Sequence, residues 1–139
     1  MMVFRKLDIG RGKRPAWAKG DCQVRALAVA AGMTYEEAWH KLYQLQGRYR
    51  TAGFFLVKWL DIVPQELAVV RRFAFPAVKG KSRMTGEEFC KEHRLGNYIL
   101  RLAHHVAAVE DGVLLDSWDC TDRCVYVAWK IGQVPAEAR

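Results

Sequence analysis

Apolar positions recur at helical spacing through the first half of the chain and give way, after residue 96, to runs rich in β-branched residues. Val24, Leu27, Ala28 and Ala31 share one face of a first helix, with Asp21 as its N-cap and Gly32 at its end. Thr34 and Glu37 have the spacing of a capping box, and Tyr35, Ala38, Trp39 and Leu42 form the buried stripe of a second helix reaching about Gln46. A third, shorter helix is predicted over "FFLVKWLDI", before Pro64. "LAVVRRF" predicts a strand and "FPAVKGKSR" a loop, after which Thr85 and Glu88 open a fourth helix that Leu95-Gly96 closes.

Beyond Gly96, "NYILRLAHHVAAVEDGVLLDSWD" divides into two apolar runs joined by Asp111-Gly112, a strong short hairpin signal. A last strand, "CVYVAWKI", follows a short polar loop. Helices first and strands second predict an α+β fold, with the helical half packed on a three- or four-stranded antiparallel sheet. Trp39, Trp118, Tyr126 and Trp129 are expected in the core.

The 139 residues, 51% hydrophobic and 12% aromatic, suit one globular domain with a buried core. No apolar run approaches the ~18 residues a membrane span needs, and the N-terminus is basic without the apolar block of a signal peptide. A cytoplasmic protein is the expectation, with its four cysteines reduced. The net charge of +7 gathers at "RKLDIGRGKR", "RYR", "RR" and "KGKSR". A basic face suits nucleic acid or acidic partners, but no nucleic-acid motif accompanies these clusters, and a solvated basic surface is the simpler reading.

Candidate chemistry begins with Cys22, one residue behind the expected N-cap. A thiol there sits in the positive end of the helix dipole, which favours the reactive thiolate. Standing alone, a cysteine near a helix start is more often a small buried apolar residue. The hairpin supplies partners. With Asp111 and Gly112 as the two loop residues, Glu110 faces Val113, Ala107 faces Asp116, and His105 faces Trp118. His105 and Asp116 are then diagonal neighbours on one face, near enough for an imidazole and a carboxylate to meet. His104 falls opposite Asp119 on the other face, giving two His–Asp pairs. The His105 face also carries the small Ala103 and Ala107, over which a helix could lie close, so His105 is preferred as the partner of Cys22. In this arrangement His105 exchanges a proton with Cys22 and Asp116 holds the ring tautomer.

The order Cys22, His105, Asp116 resembles the papain-like cysteine peptidases. "DCQVRALAV" and "HVAAV" are similar to segments of the compact C39-like peptidases, and "DC-x-V-R-A-L" with "DG-V-x-x-D-S-W-D" resembles small papain-fold proteins of phages and bacteria. The resemblance covers about residues 17–130 of a single domain spanning 1–139, with 1–16 a basic N-terminal segment. It implies a cysteine hydrolase (peptidase, isopeptidase or deamidase) acting on a protein or peptide through a Cys22 thioester, without a cofactor. That superfamily draws one oxyanion donor from a glutamine upstream of the nucleophile, and residues 1–21 contain none. The Cys22 backbone N–H is one expected donor, with Trp17 Nε1, Lys19 or a loop amide as the second. A catalytically inactive interaction module, binding protein or nucleic acid through its basic surface, is the alternative from another class. Zinc is a rival use of Cys120, Cys124, Cys90 and His93, but their spacing lacks the tight C-x2-C loop of structural sites, and no metal is expected.

Overall fold

A computed structural model describes residues 1–7 and 21–132. The chain order is β1 (Phe4–Lys6), α1 (Cys22–Ala31), α2 (Tyr35–Tyr49), α3 (Leu56–Ile62), β2 (Val69–Ala74), α4 (Gly86–Glu92), β3 (Asn97–Leu102), β4 (His105–Glu110), β5 (Val113–Asp116) and β6 (Val125–Ile131). The fold is α+β, with these four helices set on a six-stranded sheet of order β1-β5-β4-β3-β6-β2. β1 joins β5 in parallel and every other pairing is antiparallel, so the sheet is mixed and wider than the sequence pattern indicates.

Two features account for the difference. The basic N-terminal segment contributes β1, which is too short to carry a periodic signal. The long run after Gly96 folds back on itself at Ala103-His104, where Leu102 pairs with His105. His104 takes a left-handed conformation there (φ 55°), one that few non-glycine residues adopt. Neither alanine nor histidine announces such a turn in sequence. The Asp111-Gly112 turn follows the expected register, with Glu110 opposite Val113 and both turn residues at positive φ.

Side chains alternate across the sheet, so Ile99 and Ala108 point to one face while their neighbours Leu100 and Ala107 point to the other. The first face meets Val24, Leu27, Ala28 and Ala31 of α1 together with Leu42 and Leu45 of α2 and Trp59 and Leu60 of α3. The second meets Phe89 and Cys90 of α4, along with Leu114 and Cys120. The alanine beneath α1 is therefore Ala108. Ala107, its neighbour in β4, alternates to the α4 face, and Ala103 lies in the turn, where the fold-back at 103–104 ends the alternation. Trp129 is buried in the core and Trp39 and Tyr126 pack at its margin, whereas Trp118 is 40% exposed. Among the described residues no helix is long and apolar enough to cross a membrane.

Candidate active site

Cys22 is the first residue of α1. Asp21 occupies the N-cap position, but its carboxylate makes no capping hydrogen bond. It accepts instead from the Arg25 guanidinium and, at 3.4 Å, from the Tyr35 hydroxyl. A buried guanidinium offers a charge-assisted bond that outcompetes a backbone amide. The first turn of α1 thus keeps its amide N–H groups without a side-chain cap.

β4 begins at His105 and β5 ends at Asp116, which places the two residues at the same end of their paired strands. His105 Nε2 and Asp116 Oδ2 lie 2.5 Å apart. Asp116 is 4% exposed and its two oxygens gather four donors. Oδ1 accepts from the Ser117 backbone N–H at 2.7 Å and from Arg25 Nη2 at 3.4 Å; Oδ2 accepts from His105 and, at 3.6 Å, from the Cys120 thiol. Burial alone would raise the Asp116 pKa, but the His105 hydrogen bond, the Ser117 amide and the charges of His105 and Arg25 hold it below the ordinary carboxylate value.

Burial likewise opposes protonation of His105. Hydrogen bonds with Asp116, Cys120 and Cys22 outweigh it, and the imidazole pKa rises to about 11. At neutral pH the ring is an imidazolium in contact with two thiols. Accessibility separates them: Cys120 is fully buried, whereas Cys22 is half-buried and lines a pocket of about 440 Å³. His105, Gln23, Arg101 and the apolar Phe54, Phe55, Val57 and Tyr126 share that pocket. The Trp118 ring lies against His105 with centroids 4.9 Å apart and covers part of the imidazole.

The other expected residues are placed differently. His104 sits in the tight turn, and Asp119 accepts from the Thr121 backbone N–H and hydroxyl, so the second His–Asp pair does not form. Trp17 and Lys19 lie outside the described residues. The four zinc candidates do not come together: Cys90 is buried against Phe89, with burial pushing its thiol up to about 11, and the His93 ring stacks on Phe89 with Nδ1 at its carbonyl. Cys124 sits at an isolated bridge to Thr85. Among the described residues the one grouping of metal-ligating atoms is His105, Asp116 and Cys120, within 4.8 Å of one another. These three already satisfy one another by hydrogen bonds, and Arg25 sets a positive charge beside the carboxylate, which disfavours a dication there.

Sequence reasoning missed Arg25 and Cys120. Arg25 left a trace, because a cation four residues after Asp21 interrupts the buried face of α1. Cys120 left none, since its approach to Asp116 depends on the path of the loop after β5. Comparison of the chain with known protein families, with curated proteins and with solved structures returns no match. The chemistry of the site therefore rests on its own geometry.

Proposed function

We propose that the protein is a papain-like cysteine hydrolase that acts at an amide or isopeptide carbonyl through a Cys22 thioester. The observation that carries this reading is the junction, at one pocket, of an accessible helix-start thiol with an imidazolium that a buried carboxylate holds. The Cys22 sulfur attacks the carbonyl carbon as a thiolate, and His105 gives its proton to the departing amine. Water, deprotonated by the now neutral imidazole, then attacks the thioester, releases the acid and restores the thiol pair. Asp116 keeps the ring oriented throughout and stabilises its charge. The apolar wall of Phe54, Phe55, Val57 and Tyr126 suits a bulky apolar group beside the bond attacked.

Brief alkylation with iodoacetamide near neutral pH, followed by mass mapping, tests the assignment. Cys22 is expected to react before Cys124 and well before the buried Cys90 and Cys120. A folded protein in which Cys22 stays unmodified while another thiol reacts would overturn the hydrolase reading and favour an interaction module.

A further inference from the structure

Any acyl transfer at Cys22 must stabilise negative charge on the oxygen of the attacked carbonyl, and one backbone N–H is a weak provision for it. The side chain next to the nucleophile is a glutamine whose orientation is fixed. Gln23 Oε1 accepts the Leu56 backbone N–H at 2.7 Å, bridging the first turns of α1 and α3. An N–H donor demands an oxygen opposite it, so this bond also settles which way the amide is turned. The Nε2 group therefore points away from Leu56. Among the described residues it has no hydrogen-bond partner, and it is not sealed from solvent. Gln23 lines the same pocket as Cys22 and His105. Asp21 does not cap the first turn, and among the described residues no side chain accepts the Cys22 N–H.

We propose that the Gln23 side-chain amide, together with the Cys22 backbone N–H, forms the oxyanion-binding pair of this site. The proposal rests on Cys22 being the nucleophile, and it replaces the upstream donors that the sequence suggests. Gln23 follows the nucleophile in the chain, and its rigidity comes from the start of α3. A donor anchored by its own acceptor atom needs no reorganisation when charge develops, which is what makes such a group effective.

Two reactions of the same thiolate isolate this role. Iodoacetamide alkylates by displacement at a saturated carbon and creates no oxyanion. With 4-nitrophenyl acetate, the Cys22 sulfur bonds to the carbonyl carbon and the π pair moves to oxygen. The intermediate then collapses to the thioester and expels 4-nitrophenolate, which needs no proton. The ratio of acylation rate to alkylation rate cancels changes in thiolate population and reports on the oxyanion alone. Gln23→Met removes the donor at similar volume; Gln23→Glu removes it while keeping an acceptor for the Leu56 N–H, and serves if the first variant folds poorly.

In both variants the ratio is expected to fall by roughly a hundredfold, with alkylation itself little changed in Gln23→Met. An unchanged ratio in the folded variants would overturn the proposal, as would equal loss of both reactions, which would make Gln23 merely structural. Failure of the underlying assignment has a different signature: in the unaltered protein, Cys22 would be alkylated no faster than Cys124.

Discussion

Asp116 gathers four donors, and its loss has more than one consequence. Asp116→Ala leaves His105 and Arg25 without their shared acceptor, so Cys22 alkylation should slow by at least tenfold. Asp116→Asn preserves much of the hydrogen bonding and should retain more reactivity. Full reactivity in Asp116→Ala at an unchanged thermal midpoint would remove Asp116 from the mechanism. The pair also sets a pH dependence. The folded-state pKa of His105, about 11 against an ordinary 6.5, means its contribution to stability is complete below about 6.5 and is lost as pH rises through about 11. Asp116 is shifted the other way, so its contribution is present above the ordinary carboxylate range and is lost as acid protonates it. The gap in thermal midpoint between the unaltered protein and His105→Ala should accordingly be widest between the ordinary carboxylate range and about pH 6.5, and narrow toward both extremes. A gap that stays constant from pH 4 to 11 would show that the pair does not titrate as a unit. The His105–Asp116 relationship could be read in the sequence because Asp111-Gly112 announces its own turn, and strand alternation carries the register outward from it; the approach of Cys22 to them is predicted from the small Ala103 and Ala107, where the structure has Ala108 beneath α1. Arg25 and Cys120 could not be read in the same way, since the approach of α1 and of the loop after β5 to Asp116 is a tertiary event with no local period.

Among the elements, α1 does two jobs at its N-terminus: it presents Cys22 and it threads Arg25 between Asp21 and Asp116. The Arg25 guanidinium therefore ties the helix that carries Cys22 to the strand that carries Asp116. Arg25→Met keeps the apolar stem but removes the cation shared by two buried carboxylates, and about 3–5 kcal/mol of destabilisation is expected by chemical denaturation. A change below about 1 kcal/mol would mean that the pair is solvated in solution. The tight turn between β3 and β4 is the second decisive element. His104→Gly suits the left-handed φ there and should keep both stability and Cys22 reactivity, whereas His105→Ala should abolish the enhanced reactivity. Equal loss in the two variants, or loss at His104 alone, would reverse the assignment of the histidines. Helices α1, α2 and α4 begin where their periodicity and capping residues place them, with Thr34 and Thr85 both forming full capping boxes. The β3–β4 turn escaped because its two residues carry no turn chemistry, and so one long strand stood in for two.

At the level of the whole molecule, the sheet interleaves distant parts of the chain: β1 flanks β5 at one edge, and β2 flanks β6 at the other. The N-terminal strand supports the site directly, because the Leu7 N–H donates to the Asp116 backbone carbonyl at 2.8 Å and Lys6 pairs with Asp116 in the parallel ladder. Deleting residues 1–7 should lower the thermal midpoint and slow Cys22 alkylation together; a lowered midpoint with undiminished alkylation would show β1 to be irrelevant to the site. The separation of the site residues along the chain has a further consequence during synthesis. A growing polypeptide leaves the ribosome N-terminus first, and domains fold largely as units once their sequence is available. Cys22 emerges long before His105 and Asp116, and Asp116 takes its place only when β5 pairs between β4 and β1. Until then the thiol has neither imidazolium nor pocket wall from β4, and it is an ordinary cysteine on a nascent segment. With Cys22 as the proposed nucleophile, translation order withholds the partners of the thiol until β4 and β5 have folded.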